Sequence, residues 1–488
     1  MARKHKTEDK SGAGASIAVI GAGVVGSLVA RELARYEGEV LIVEREPDVG
    51  WGVTKANSAI VHAGFHERPG TRSARFCVAG NAILADVCRD LEVPFQRIGA
   101  YVLALADGER AVLEEMRGRG AELGVPGLDL VEGDEVRRRL PDVNPDVKCA
   151  LWAPSVGITE PWALAVAAAE NAVSNGAILH VGEEVTGITV RAGRVRAVRT
   201  DQAMYDVDAV VNAAGLSADR IAALARVSVP GLTPRRGEYL LLVDTPPALR
   251  TAVLFPVPTP HSKGILLVPT VDGGLLLGPT ATDLPPTQRE ATETTVEGLA
   301  FALNGARRLV PDLPVGKVVK VFAGLRPEPA DGDFWLGRTD VPGFYQAAGM
   351  RSPGLTAAPA VARWLAEGIA ADLGLTRRAS FSPRRPALPR AADLPSAEWE
   401  ALIARDRRFG RVVCRCNRVT EGEIVEAIRR GARTLDGVKF RTRAGFGRCQ
   451  GGTCTDHILA LLAGETGLDP EAVALRGPGS SLVEGRVR

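Results

Sequence analysis

Residues 16–44, SIAVIGAGVVGSLVARELARYEGEVLIVE, decide the fold. SIAVI (16–20) reads as a short buried strand, 24–36 as a helix, and EVLIVE, ending at Glu44, as a second strand, so the chain opens on a βαβ unit. The turn between the first strand and the helix is GAGVVG, with glycines at 21, 23 and 26. Each position has a physical reason. Gly21 makes the tight turn, Gly23 lets backbone approach a pyrophosphate, and Gly26 packs helix on strand. The helix N-terminus offers N–H groups and a positive dipole to phosphates. Glu44 stands where a carboxylate would hold the ribose hydroxyls of an adenosine.

Two later segments bear on which dinucleotide is bound. Asn212-Ala-Ala-Gly215 ends a further buried strand, DAVVNAAG (208–215), at the point where flavoproteins return the chain to the nucleotide. In AAGMRSPGLTAAPAVARWLAEG (347–368), Gly349 ends a strand and Ser352-Pro353-Gly354 leads into an apolar helix. That helix could aim its N-terminus at the pyrimidine edge of a flavin, where negative charge develops on reduction. No second GxGxxG follows for a separate nicotinamide domain. The reading favours FAD, with NAD as the alternative.

Between these segments lies a long mixed region. Helices are predicted over 73–91 and 161–174, and strand pairs over 236–243 and 264–278. Strand-turn-strand signals over 180–200 and 264–280 predict an antiparallel-sheet domain, and 341–374 a strand, a glycine turn and a helix. The fold class expected is α/β and α+β: a Rossmann-like FAD-binding domain (about 13–95, 150–225 and 340–375) interleaved with an antiparallel-sheet substrate domain (about 95–150 and 225–340). Residues 376–407, rich in Pro and Arg, read as a semi-rigid linker. A small helical module follows over 408–475, and the tail RGPGSSLVEGRVR (476–488) reads as loose.

The module carries four of the seven cysteines, as Cys414-x-Cys416 and Cys449-x-x-x-x-Cys454. Thr420-x-x-Glu423 is a capping box that opens a helix between the pairs. Four thiolates from two loops suit zinc or an iron–sulfur cluster. Zinc ribbons use CxxC pairs, and the glycines of GRCQGGTC leave N–H groups free to bond sulfides, so a 2Fe-2S cluster is favoured over zinc and over four free thiols. Cys77, Cys88 and Cys149 lie outside any motif and read as small core residues.

The chain has 488 residues, 45% hydrophobic and 24% charged, with formal net charge +2. The balance argues against a nucleic-acid partner. No run approaches the roughly 20 apolar residues that span a bilayer. The polar start MARKHKTEDKSGAGAS precedes the glycine loop without an apolar signal region, so a cytoplasmic protein without disulfides is expected.

NSAIVHAGFHERPGTRSARFCVAGN (57–81), PRRGEYLLL (234–242), VPTVDGGLLLGPTA (268–281), FAGLRPEP (322–329) and AAGMRSPGLTAAP (347–359) resemble FAD-dependent dehydrogenases of the D-amino-acid-oxidase-like superfamily. Glycerol-3-phosphate dehydrogenases and oxidases come first, L-2-hydroxyglutarate oxidases next. CRCNRVTEGEI (414–424) and RTRAGFGRCQGGTC (441–454) resemble the bacterioferritin-associated-ferredoxin-like 2Fe-2S domain. Large subunits of anaerobic glycerol-3-phosphate dehydrogenases join the same two parts. Two positions depart from the pattern: Ala59 where Gly is frequent, and Asn417 where Glu is common.

The resemblance implies roles. His62, in SAIVHAG, would take a hydroxyl proton, the alternative being a histidine that only orders the flavin loop. Arg326, in GLRP, would grip an anionic group with its planar fork, the alternative being a structural arginine. Lys263 would line the same pocket, or else be a solvated loop lysine. Further FAD contacts are expected at Arg45, Asn57, Ser58, Val185, Ala214, Gly215, Gly349, Ser352, Gly354, Leu355 and Thr356, and cluster ligation at all four module cysteines. His66 is less specific, and His5, His180, His261 and His457 fall outside the motifs.

The activity implied is oxidation of glycerol 3-phosphate to dihydroxyacetone phosphate, with electrons leaving through the cluster to a partner subunit or a quinone-linked protein, and contact with the membrane only through such partners. The alternatives are a 2-hydroxy-acid or an amino-acid or opine dehydrogenase and, more remotely, a non-catalytic electron-transfer subunit.

Overall fold

The computed structural model describes residues 14–259 and 262–485. The polar start, His5 and His261 lie outside the described residues. β1 (Ser16–Ile20) is buried throughout, α1 spans Val24–Leu33, and β2 (Glu39–Glu44) pairs parallel with β1. α1 is three residues shorter than expected, because Tyr36 leaves the helix to bridge Arg377. The first sheet has six strands in the order 335–338, 344–348, 209–212, β1, β2, 178–181. Only the edge strand Trp335–Arg338 runs antiparallel. One face is covered by helices, including α1, α2 (Arg72–Asp90) and α3 (Pro161–Ser174). A three-stranded antiparallel sheet (Val185–Arg191, Arg194–Thr200, Met204–Asp206) covers the other. The strand-turn-strand signal at 180–200 therefore belongs to this layer, separate from the large sheet.

The large sheet has nine strands drawn from Ala100–Ala153 and Leu232–Pro329. Its spine is the long pair β3 (Leu232–Leu242) and β4 (Val318–Pro329), which runs antiparallel along nearly its whole length. The sheet is antiparallel as expected but for one pair, since Val253–Pro256 runs parallel with Ala100–Ala104. That pair joins two distant stretches of chain, which sequence alternation does not report. α4 (Gly354–Leu373) then returns to pack on α1 and α2.

Residues 376–407 are not a free linker. Arg378 donates its backbone N–H to Arg35 O (2.7 Å), Ser382 N–H donates to Asn175 Oδ1 (2.8 Å), and Arg385 pairs with Glu170 (2.6 Å). The stretch ends in a helix, α5 (Ser396–Arg405). Pro and Arg here serve a docked strap whose arginines reach backbone carbonyls and carboxylates on the first unit.

The C-terminal module packs α6 (Glu421–Arg429), α7 (Leu435–Thr442) and α8 (Thr455–Thr466) around Ile424, Ile428, Val438, Ile458 and Leu462. The Thr420–Glu423 capping box is present. The tail also corrects the expectation of looseness. Leu475 N–H donates to Ser480 O (2.8 Å), and 476–480 form a turn closed by Ser480, while 486–488 lie outside the described residues. Among the described residues no helix is long and apolar enough to cross a membrane.

Candidate functional site

One cavity of about 2020 Å³ runs from the glycine loop to the seam between the large sheet and the C-terminal module. It exceeds the roughly 300–1,000 Å³ of a drug-sized pocket and has room for a dinucleotide beside a small substrate.

At one end the glycine loop forms a cradle. Gly21 has φ +100, and a Cβ there would sit 2.6 Å from Ala213 O. A Cβ on Gly26 would sit 1.9 Å from Gly21 O, so only glycine lets α1 close onto the loop. Gly23 caps α1 without a side chain, and no acid stands in its first turn. The positive end of α1 therefore faces the cavity. Glu44 is buried at the rim, accepting from Ala22 N–H (2.7 Å) and Glu46 N–H (2.9 Å). Burial raises its pKa, and these two donors work in the opposite direction. Arg45, Val185, Ala214, Gly215, Gly349, Gly354 and Leu355 line the same cavity. α4 begins at Gly354 with no side-chain cap and no acid in its first turn, so a second helix N-terminus faces the space.

Two expected cofactor contacts are spent elsewhere. Asn57 donates its amide to Val53 O (3.2 Å) and Thr54 O (2.9 Å) and accepts from Ala59 N–H (2.8 Å), which staples the turn. Thr356 is fully buried and its hydroxyl accepts from His62 N–H (2.9 Å). Ser58 lines the cavity near the buried Tyr239 hydroxyl, whose pKa burial pushes up to about 12. Ala59 has φ +60, the left-handed region. This is why glycine suits that position, and alanine here carries about 1–2 kcal/mol of strain.

His62 and Arg326 share the cavity. His62 Nε2 lies 3.2 Å from Ser352 Oγ, which orients the ring, and the backbone carbonyl of His62 accepts from Asn81 (2.9 Å), which holds the main chain. Burial, with Lys263 nearby, holds its pKa well below the usual histidine range. The ring is thus neutral near pH 7 and able to accept a proton. Arg326 on β4 is half-buried, with burial lowering its pKa, and donates one Nη2 bond to Thr280 O (2.8 Å), while its buried Nε has no partner. Among the described residues no carboxylate stands within 4 Å of it to form an ion pair. A half-buried guanidinium with an orphan donor suits an anion from outside. Lys263 is less free, since its ammonium is 3.1 Å from Glu67, which Arg351 also approaches at 3.5 Å. Sequence reasoning missed Glu67, Arg351 and Tyr239. Glu67 stands beside His66 in the quoted motif, as a lone acid among residues that bury.

The module cysteines meet in pairs, Cys416 with Cys449 and Cys414 with Cys454, although among the described residues no three of them stand close enough together to hold a metal ion. Cys416 Sγ and Cys449 Sγ are 3.6 Å apart, and Cys416 draws the Cys449 thiol down to about 7. Burial first, then Cys414, raises Cys454 to about 12. Gly447 permits the approach, because a Cβ there would meet Cys416 Cβ at 2.3 Å. Close soft donors on two loops fit an iron–sulfur cluster. Cys77, Cys88 and Cys149 are buried, as expected.

The module is docked on the cavity. Arg441 and Asp48 form a buried two-pronged pair (2.5 and 2.7 Å). Arg443 bridges Glu160 (3.0 Å) and Asp272 (2.7 Å). Asn417 donates its amide to Arg443 O (2.7 Å), a bond that glutamate could not donate. Trp162 and Phe446 stack at 5.4 Å between the two parts. None of this was legible from spacing.

Comparison with known proteins agrees with this geometry. The family model described as FAD dependent oxidoreductase matches residues 16–368, and that of the BFD-like 2Fe-2S binding domain matches 412–464. The chain is 41% identical over 474 residues to a glycerol 3-phosphate dehydrogenase of Caloramator mitchellensis, covering 96% of this chain and 98% of that protein. It is 26% identical to a subunit of the anaerobic glycerol-3-phosphate dehydrogenase of Escherichia coli, over 94% of this chain and 89% of that one. The solved L-alpha-glycerophosphate oxidase of Mycoplasma pneumoniae, reduced by dithionite and with FAD bound, superposes with TM-score 0.71 at 29% identity, covering 76% of this chain and 98% of the other. The chain belongs to the family of FAD dependent oxidoreductases, carries a BFD-like 2Fe-2S binding domain, and has FAD and a 2Fe-2S cluster as its cofactors.

Proposed function

We propose that the chain oxidises glycerol 3-phosphate to dihydroxyacetone phosphate and hands the electrons to a protein partner linked to quinone. The observation that carries this reading is Arg326, a half-buried guanidinium with an unpartnered Nε, in the same cavity as a neutral His62 whose ring Ser352 contacts. An anion and an alcohol on one small molecule answer both groups, and the dehydrogenase 41% identical to this chain is named for such a molecule. When bound, FAD supplies a two-electron acceptor and the cluster a one-electron carrier.

The residues divide the remaining work. Arg326 grips the phosphate, with Lys263 at its edge, where Glu67 shares the lysine's charge. His62 Nε2 takes the hydroxyl proton when the substrate hydroxyl replaces Ser352 Oγ, which otherwise contacts that nitrogen at 3.2 Å. Gly21, Gly23, Glu44, Arg45, Ser58, Val185, Ala214, Gly215, Gly349, Ser352, Gly354 and Leu355 contact FAD, while Gly26, Asn57 and Thr356 shape its bed. Cys414, Cys416, Cys449 and Cys454 hold the cluster. The flavin and substrate unit covers about 13–375 and the cluster module 408–475. The protein works in the cytoplasm and meets the membrane only through its partner.

The test is anaerobic mixing of holoenzyme with glycerol 3-phosphate, L-2-hydroxyglutarate and a panel of amino acids. Glycerol 3-phosphate should bleach the flavin fastest by a wide margin. If a 2-hydroxy acid or an amino acid bleaches it and glycerol 3-phosphate does not, the substrate reading fails.

A further inference from the structure

The edge of the cavity that meets the cluster module carries a second concentration of positive charge that the proposed reaction does not use. Lys55 follows Thr54 in the turn after β2, Lys320 lies on β4, Lys439 on α7, and Arg476 in the tail. The Lys320 and Lys439 ammoniums are neighbours over one aromatic ring, 5.8 and 5.0 Å from the centre of Phe446. Two like charges at such range repel unless an anion lies between them or one is neutral.

The available counter-charge is small. Asp436 is 3.9 Å from Lys439 and 3.5 Å from Arg476, and it is the carboxylate these cations share. Glu46 faces Lys55 but already pairs with Arg45 at 3.2 Å. Four cations therefore converge on one free carboxylate. Burial, with the neighbouring cations, brings Lys55 and Lys320 down to about 8, so part of the charge is held uncompensated.

We propose that Lys55, Lys320, Lys439 and Arg476 form a phosphate-binding site at the seam of the flavin unit, the large sheet and the cluster module. The site is separate from the Arg326 pocket. Lys320 and Arg326 are six residues apart on one strand, roughly 20 Å at about 3.3 Å per residue. A phosphate group offers several acceptor oxygens and two charges, which suits three ammonium donors and a guanidinium drawn from separate segments. Because those segments belong to different parts of the chain, an occupied site ties the cluster module to the flavoenzyme. The phosphate could be free, or it could be the FAD pyrophosphate, since the Thr54 hydroxyl beside Lys55 accepts from Val24 N–H at the glycine loop (3.0 Å).

The test uses the cluster-loaded chain, as holoenzyme and after FAD removal, in wild type, Lys320→Met/Lys439→Met and Lys439→Arg. Inorganic phosphate is titrated against the thermal midpoint of the holoenzyme at constant ionic strength, and FAD is titrated into the FAD-depleted form. Iron content and circular dichroism establish that the variants fold. A phosphate-dependent rise in midpoint that weakens at least ~tenfold in the double variant and returns in Lys439→Arg, with FAD affinity unchanged, assigns free phosphate. A tenfold or greater loss of FAD affinity in the double variant, with no response to inorganic phosphate, assigns the cofactor's own pyrophosphate. If neither titration differs between wild type and the double variant, the site does not exist.

Discussion

Removing Arg441 tests how the cluster module is held. Its guanidinium meets Asp48 with two bonds of 2.5 and 2.7 Å, and both side chains are only 4% exposed. In Arg441→Ala the Asp48 carboxylate keeps one partner, the Val49 N–H at 2.8 Å. Deleting one member of a buried pair costs about 3–5 kcal/mol. Water entering the space left by the side chain places this case at the low end, and ~3 kcal/mol is roughly a hundredfold shift in the docking equilibrium. Arg443 still bridges Glu160 and Asp272, so the module opens more often but is not released. Two assays read the effect: limited proteolysis within 376–407, and the rate at which the cluster is reduced after the flavin has bleached. Cleavage should rise by about two orders of magnitude where opening limits it, and cluster reduction should slow, with FAD and iron content unchanged. Asp48→Asn/Arg441→Met should be milder than either single change, because no charge is left buried alone. If Arg441→Ala leaves both rates as in wild type, the pair does not hold the module and the docked arrangement is wrong.

Arg326→Ala should lower kcat/KM for glycerol 3-phosphate by roughly 10²–10³-fold, since an anion would lose a half-buried charged partner worth about 2–5 kcal/mol. Arg326→Lys should recover little, and normal kinetics in either variant would move the pocket elsewhere. His62 and His66 are both held well below the usual histidine range, chiefly by burial. Below about pH 6.5 the unfolded chain therefore binds protons that the folded chain does not. Stability should fall with pH there, by up to about 1.4 kcal/mol per unit for each ring, and His66→Gln should remove near half of that slope. Urea midpoints independent of pH between 7 and 5 would contradict this. Ala59→Gly should be neutral to about 1 kcal/mol stabilising, because relief of the left-handed strain outweighs glycine's greater freedom when unfolded. A clear loss in denaturation midpoint would mean that Ala59 is not strained.

The local part of this design was readable in the chain. The apolar run before Gly21, the glycine spacing and Glu44 report a βαβ unit because each acts over a few residues. The capping box at Thr420 and Glu423 was readable for the same reason. What was not readable depends on contacts between distant segments. The parallel pairing of Val253–Pro256 with Ala100–Ala104 leaves no periodic trace, and Asp48 and Arg441 are 393 residues apart. The Pro- and Arg-rich stretch resembles a spacer in composition, yet its arginines find carbonyls and carboxylates only when folded against Arg35, Gly38 and Glu170. Among the site residues, His62 and Arg326 were identified by motif. That Lys263 is shared with Glu67, that Asn57 is turned to its own turn and that Thr356 is turned to the His62 N–H could come only from three-dimensional packing.

The most direct test of the whole account follows electrons through the chain in a single anaerobic turnover. Holoenzyme is mixed with glycerol 3-phosphate in a stopped-flow instrument, and flavin and cluster absorbance are followed together, in wild type and in Cys449→Ala. Wild type should bleach its flavin and then reduce its cluster. Cys449→Ala should bleach at the wild-type rate, because the substrate pocket lies in the flavin unit, and should then fail to pass electrons to a one-electron acceptor. A wild-type cluster that stays oxidised while the flavin cycles, or a Cys449→Ala protein that still feeds the acceptor at full rate, would contradict the cluster's place as the exit.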